Sequence, residues 1–469
     1  MNTPITPAHL TPDISNTAKQ AFLEIVGADR YLDRPEETAC YAYDAFLEES
    51  TPAAVVFPSS TQDVSEIMKV AAAHHIPVTG RGAGTSICGA PVPVLGGLVI
   101  CFSKMDKILE INTRDRYAVV QPGVVNAELQ KGLAPYGFFY PPDPGSIATS
   151  TIGGNIAQNA GGPRCLKYGV TMDYILGMEA VLSDGRIVRF GSKNVKDVTG
   201  YRMTSLFCGS EGTLGLITEA IVKVVPKPET TRTLMVTFSD LEDTAKSVSD
   251  IIGSGILPAA MELMDRFTLN AIEDSARLGL DRQAAGSLLI EIDGVAEACE
   301  KEMKRIADIL TTNNAINIEE AATPEDQDRL WTARRSAYGV FAKLAPDIFT
   351  EDVTVPVSQV PEMVRRIKTI AAKYDVGIGV LAHAGDGNMH PLVTTDRSNT
   401  EEWERVEKAF DEIFAAAAEL GGTLSGEHGI GLAKTKYMPL VMNQDSMDVM
   451  TAVKKAIDPA GILNPGKFV

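Results

Sequence analysis

No apolar run in this chain approaches the ~20 residues that a bilayer-spanning helix needs, so no transmembrane segment is expected. The opening MNTPITPAHLTPDIS lacks both a basic stretch and an apolar core, and therefore does not read as a signal peptide. Cys40, Cys88, Cys101, Cys165, Cys208 and Cys299 are widely scattered and form no C-x-x-C pair. A disulfide framework, a zinc ribbon and an iron–sulfur cluster all lack support on that spacing. Lys and Arg nowhere form a cluster of five or more, and the net charge is −18. An acidic field repels phosphate backbones and anionic lipid, which disfavours nucleic-acid and membrane-surface binding. Internal repeats and low-complexity tracts are missing as well. The expectation is a cytoplasmic protein with reduced thiols.

What is present fits a soluble globular enzyme, at 45% hydrophobic and 22% charged residues. A chain of 469 residues exceeds one core. The best break is VVPKPETTR (224–232), where prolines and charge interrupt a β-rich run. We read a first domain over 1–230, a second α+β domain over 231–420, and a glycine-rich C-terminal segment over 421–469. In the first, AAVVF (53–57), IPVT, GGLVICF and YAVVQPGV read as strands. Between them PSSTQDVSEIMKVAAAHH reads as a helix, with Ser59 and Gln62 at capping-box spacing. YILGMEAVLSDGRIVRFG gives two strands around Asp184-Gly185. Residues 141–163 hold a single charge among many Pro and Gly, and read as a long loop wrapped on something. In the second domain LMVTFSD, AAMELMD, LLIEIDG and DIFTEDVTVPV are strands separated by longer helices. The fold class is α+β.

Three glycine loops fall in the first domain: Gly80–Ser86, Ile152–Gly162 and Gly209–Gly215. Glycines let backbone N–H groups approach a ligand, and successive amides form a nest for phosphate oxygens. The first loop is not G-x-G-x-x-G and no G-K-[ST] follows it, so a Rossmann site and a P-loop are not indicated. Three such loops in one domain are hard to explain as turns alone.

The segments PVTGRGAGTS, PPDPGS…STIGGNIAQNAGG…KYG and GSEGTLGLIT resemble the FAD-binding domain of the vanillyl-alcohol oxidase superfamily, and more closely the D-lactate dehydrogenase / glycolate oxidase flavoprotein-subunit group. The resemblance runs from about Tyr41 to the C-terminus. It implies a two-subdomain FAD-binding domain, an α+β substrate (cap) domain, and a C-terminal segment returning to the flavin domain. It also implies that Arg81, Gly82, Ala83, Gly84 and Thr85 cradle the pyrophosphate. Pro144, Gly145, Ser146, Thr149, Gly153, Gly154, Asn155, Asn159 and Gly161 would line the flavin and ribityl chain, and Glu211, Gly212 and Ile217 would sit near the adenine side. Asn464, in DPAGILNPGK, is a further candidate flavin contact. Members with covalent flavin use a histidine in the first loop; Thr85 stands in that region here, so non-covalent FAD is expected.

The histidines add a second constellation. If Asp386-Gly387 in VGIGVLAHAGDGNMHPLVTT is a two-residue hairpin turn, His383 pairs directly across from His390, with Cβ atoms ~5 Å apart. Two imidazoles so placed can share a divalent metal. In SGEHGIG the glycines allow Glu427 and His428 to face one site. His383, His390 and Glu427 would be three ligands of an open metal site, with His428 as general base. HAGDGNMH and SGEHG also match the group's metal-binding and catalytic motifs, which implies Zn²⁺, Mn²⁺ or Fe²⁺. WTARRSAY matches the segment that supplies the substrate's cation, which assigns Arg334 to a carboxylate and Tyr338 to the pocket wall. Relatives selective for longer dicarboxylates place a lysine near position 350, where this chain has Thr350.

The expected activity is FAD-dependent dehydrogenation of a short D-2-hydroxy acid, D-lactate or glycolate. Electrons would leave to an electron-transferring flavoprotein, an iron–sulfur subunit or a quinone-linked chain, and any membrane association would come through such partner subunits. The competing readings are a D-2-hydroxyglutarate dehydrogenase, a metal-dependent hydrolase using His383, His390 and Glu427, and a non-catalytic flavin-binding subunit of an electron-transfer complex.

Overall fold

The computed structural model describes residues 9–468; most of the segment read for a signal peptide, residues 1–8, lies outside them. Among the described residues no helix is long and apolar enough to cross a membrane. The chain divides into two compact units: residues 1–161, 170–227 and 427–469 form one, and residues 162–169 and 228–426 the other.

The first unit is built on two larger sheets, beside a short antiparallel pairing of Phe138–Phe139 with Val225–Pro226. In one, Tyr31–Leu32 lies antiparallel to Ala54–Val56, which runs parallel to Leu98–Cys101 and, beyond it, Val78–Arg81. Parallel strands need a crossover, and helix Thr61–Ala73 supplies it between Ala54–Val56 and Val78–Arg81. Its cap is Ser60, whose hydroxyl accepts the Asp63 N–H at 3.1 Å, not the Ser59/Gln62 pair expected from spacing. Asp63 decides this: its carboxylate already accepts from the Ser59 N–H and from both neighbouring serine hydroxyls. Ile67, Met68 and Ala71 on the helix pack against Val56, Val78, Leu98 and Ile100 to form the core. The second sheet is an antiparallel five-stranded array in the order Ile108–Asn112, Tyr117–Val120, Leu216–Lys223, Ile175–Val181, Ile187–Gly191.

The stretch 141–163 is not wholly loop. Ile152–Gln158 is a helix, capped by Thr151, whose hydroxyl accepts the Gly154 N–H at 3.3 Å. Two glycines lower helix propensity, but burial of Ile152, Asn155 and Ile156 overrides it.

The last segment closes this unit. Leu463 bridges Val78 in parallel, and Ile462 and Leu463 enter the core. Lys454 holds the turn in place: its buried ammonium donates to Asp458 Oδ2 at 2.6 Å and to the carbonyls of Thr213 and Leu463 at 2.7 Å each.

The second unit is an antiparallel sheet in the order Ala315–Glu320, Thr230–Phe238, Gly286–Gly294, Ala260–Asp265, Ile378–His383, Asn388–Thr395, Asp347–Thr350, with Val353–Thr354 also pairing Asn388–Thr395. Met235, Met264, Leu289 and Leu381 mark one face, covered by helices Arg266–Ala276 and Pro324–Phe341. Helices Leu241–Gly253, Ala296–Thr312 and Val360–Tyr374 associate with one another elsewhere on the sheet.

Lys454→Met should destabilise the protein by about 3–5 kcal/mol, because it leaves the Asp458 carboxylate buried without its cation. The thermal unfolding midpoint measures this, and Lys454→Met with Asp458→Asn should recover part of the loss. A midpoint unchanged in Lys454→Met would show that the ion pair does not hold the C-terminal turn.

Candidate active site

In the first unit the three glycine loops converge through backbone contacts. Strand Val78–Arg81 delivers Gly82 against Thr151, where a Cβ on Gly82 would overlap the threonine hydroxyl. The third loop joins the second through Gly209 N–H to Ile156 O at 2.9 Å and Glu211 N–H to Ala157 O at 2.8 Å. Three segments distant in sequence therefore share one surface.

That surface is polar and under-satisfied. Arg81 Nη1, Ser150 Oγ and Asn155 Nδ2 are buried with no hydrogen-bond partner within the protein. A buried donor left unmade costs ~1–3 kcal/mol, so a cluster of them at converging glycine loops fits an oxygen- and nitrogen-rich ligand. The Arg81 guanidinium also lies over the Tyr41 ring at 5.7 Å. Ala83, Gly84 and Thr85 continue the first loop. Pro144 accepts the Ile147 N–H, in a turn that also carries Gly145 and Ser146, and Thr149 is exposed just beyond it. Gly153 packs its Cα against Pro122, with no room for a side chain. Asn159 ends the helix in the left-handed region at φ +51°, and its Oδ1 accepts the Met172 N–H at 2.8 Å. Gly161 is the residue at which the chain leaves this unit. Ile217 is buried in the five-stranded sheet, paired with Ala180.

Glu211, Gly212 and Asn464 lie where the third loop meets the C-terminal segment. The Asn464 amide donates to the carbonyls of Ala90 at 2.9 Å and Glu211 at 2.6 Å. The Glu211 carboxylate accepts the Ile430 and Gly431 N–H groups, directly downstream of His428. Burial pushes its carboxyl up to about 7, against the pull of those two amides and of Lys467 and Lys434. His428 Nε2 stands 3.7 Å from Glu427 Oε1.

In the second unit the hairpin register differs from expectation. His383 pairs with Asn388, and His390 pairs with Leu381, so the turn is four residues, Ala384–Gly387. The cause is tertiary: the Gly385 N–H is taken by the Met261 carbonyl of the adjacent strand, which draws Gly385 out of the ladder. The two histidines remain on one face as diagonal neighbours. Their rings lie edge to face at 5.0 Å, and both are buried.

Two buried carboxylates organise this face, and sequence reasoning missed both. Glu262 is paired across the sheet with His383, and its oxygens lie 2.8 and 2.9 Å from His383 Nδ1. A carboxylate only accepts, so Nδ1 carries a proton, and in the neutral imidazole Nε2 would be the nitrogen with a lone pair for a metal. Arg334, on helix Pro324–Phe341, places Nε 2.7 Å from Glu262 Oε2. Burial alone would raise the Glu262 carboxyl, but His383, Arg334 and His390 outweigh it and hold it below its ordinary value. Arg335, in contrast, is an exposed partner of Asp328 stacked on Trp331. Tyr338, one turn beyond Arg334, is exposed. Thr350 donates to the Pro391 carbonyl at 3.3 Å beside His390.

Asp352 is the second carboxylate. Asn388 donates to one of its oxygens; Ser425 Oγ at 2.6 Å and the Gly426 N–H at 2.9 Å donate to the other. It thus pins the residue that immediately precedes Glu427. The only signal of either acid in the sequence is a charge inside an apolar strand run, AAMELMD and EDVTV.

Two family models match the chain. Residues 52–191 match the family described as FAD binding domain, and residues 227–468 that described as FAD linked oxidases, C-terminal domain. The chain is 47% identical to glycolate oxidase subunit GlcD of Bacillus subtilis, over 97% of each chain. It is 37% identical to a D-lactate dehydrogenase of Archaeoglobus fulgidus, over 94% of this chain and 95% of that one. Its fold is that of p-cresol methylhydroxylase, with a TM-score of 0.80 at 19% identity over 97% of this chain and 96% of that one.

Asn155→Leu should weaken FAD binding about tenfold or more, since it removes a buried donor otherwise without a partner. Titration of FAD into the apoprotein measures it; an unchanged dissociation constant would place the flavin elsewhere.

Proposed function

The chain belongs to the FAD-linked oxidases, and from that premise we propose that it dehydrogenates a short D-2-hydroxy acid, D-lactate or glycolate, to the 2-oxo acid. The observation that carries this reading is similarity along the full chain to a glycolate oxidase subunit and to D-lactate dehydrogenases.

FAD, held without a covalent bond by the Arg81 loop, the Gly153–Asn155 helix start and the Glu211–Gly212 loop, would supply the two-electron acceptor for the substrate Cα hydride. His383, His390 and Glu427 would hold a divalent cation, Zn²⁺, Mn²⁺ or Fe²⁺, which would supply acidification of the hydroxyl group. The donor set suits such an ion: Glu262 fixes the His383 tautomer, and Asp352 anchors the backbone that leads into Glu427. Arg334 binds the substrate carboxylate and is itself oriented by Glu262. His428 accepts the hydroxyl proton as general base. Tyr338 lines the pocket.

Electrons then pass to a partner: an electron-transferring flavoprotein, an iron–sulfur subunit or a quinone-linked chain. The relative named as a glycolate oxidase subunit supports a multi-subunit assembly. The protein would be cytoplasmic, reaching a membrane only through such subunits. D-2-hydroxyglutarate is the second candidate substrate; uncharged Thr350 beside His390 favours the shorter acids.

Anaerobic D-lactate or glycolate should bleach the yellow holoenzyme, and faster than D-2-hydroxyglutarate does. His428→Ala should keep the colour and lose the bleaching; unchanged flavin reduction in that variant would remove His428 as the base. Glu262→Gln should lower divalent-metal affinity by about 10–100-fold through the lost orientation of His383. Equilibrium dialysis against Zn²⁺ or Mn²⁺ followed by metal analysis measures it. Equal metal content in the variant and the parent would count against the cation site.

A further inference from the structure

Glu211 occupies an unusual position in the first unit. It is a buried residue with a side chain, yet its backbone sits in the left-handed region at φ +51°, which residues bearing a Cβ adopt rarely. Such an outlier persists only where its surroundings over-determine it. Here they do. Its N–H donates to Ala157 O at 2.8 Å and its carbonyl accepts from Asn464 Nδ2 at 2.6 Å. Oε1 accepts the Ile430 N–H at 2.8 Å, and Oε2 accepts the Gly431 N–H at 2.9 Å. One residue thus joins the flavin-loop helix, the chain's last turn and the segment immediately after His428.

We propose that Glu211 is the positioning residue for His428, its carboxylate clamping two successive amides just beyond the histidine and so setting where the imidazole lies on the flavin-binding unit. This rests on the reading of His428 as base.

Only a carboxylate offers two acceptor oxygens in one plane to two adjacent N–H groups; a glutamine amide would turn its NH₂ toward one of them. The loop approaches closely enough to exclude a side chain at Gly429. With φ +88°, a Cβ there would overlap Gln158 Oε1 and lie 2.8 Å from Glu211 Oε1. The clamp is separable from the attachment of the segment as a whole. Leu432 and Ala433 donate to the Cys88 carbonyl at 2.8 and 3.2 Å, Leu463 bridges Val78, and Lys454 anchors the final turn. Loss of the Glu211 carboxylate therefore frees residues 427–431 locally and leaves the fold in place.

The test uses holoenzyme carrying Glu211→Gln. The unfolding midpoint should stay near that of the parent. Amide hydrogen exchange at Ile430 and Gly431 should accelerate tenfold or more, with distant amides unmoved. Flavin reduction at saturating hydroxy acid should slow on the order of 100-fold, as a small misplacement of a catalytic group does, with little change in the half-saturating concentration. Gly429→Ala, which keeps the carboxylate and displaces the loop, should reproduce the kinetic effect and serves as the test if Glu211→Gln does not fold. Parental exchange and parental reduction rates in Glu211→Gln would overturn the assignment. Acceleration of exchange throughout the chain would overturn it too, by making Glu211 a general structural residue. If His428→Ala reduces its flavin normally, the base assignment fails instead, and the exchange at Ile430 and Gly431 still judges the clamp.

Discussion

A glycine-rich loop has few side chains to hold it, so the acceptors found by its backbone N–H groups decide where it lies. In the first unit those acceptors belong to the other loops. Gly209 and Glu211 donate to Ile156 and Ala157, and Ile430 and Gly431 donate to Glu211. The ligand surface, the histidine segment and the C-terminal turn are therefore one hydrogen-bonded object. On the same surface Arg81 Nη1, Ser150 Oγ and Asn155 Nδ2 are buried without protein partners.

The second unit solves a different problem. Here charged groups lie on a sheet otherwise filled with apolar residues, and a buried charge is tolerated only when it is paired. Glu262 meets this condition through His383 and Arg334, and Asp352 through Asn388, Ser425 and Gly426. These pairings have a chemical consequence beyond stability. The Glu262 carboxylate fixes which nitrogen of His383 carries the proton, and it orients the arginine assigned to substrate. The chain thus has two layers of preparation, backbone acceptors that hold its glycine loops together and buried acids that hold His383, Arg334 and Gly426.

Much of this was legible beforehand. VVPKPETTR, read as the break, lies where the chain passes from one unit to the other. The glycine loops stood out because glycine at those spacings has a conformational meaning that does not depend on context. The errors came where context decides. The hairpin turn at Asp386-Gly387 is the preferred two-residue type by local chemistry, yet the Met261 carbonyl claims Gly385 and lengthens it. Residues 141–163 looked like loop because Gly153 and Gly154 weaken a helix, but burial of Ile152 and Ile156 outweighs that preference. Glu262, within a strand, and Asp352, between two, did not stand out because the partners of each lie far along the chain.

The amino-acid sequence by itself determined the family, the α+β class, the glycine loops and the identity of His383, His390, Glu427, His428 and Arg334 as the residues to watch, since these depend on residue type and short-range spacing. Tertiary structure alone decided the hairpin register, the tautomer of His383, the company of Arg334 and the role of Glu211 as a junction. Each of those rests on hydrogen bonds between residues far apart in the chain, such as Glu211 to Ile430 or Glu262 to His383. Such bonds exist only after burial has brought their partners together and removed the competing water.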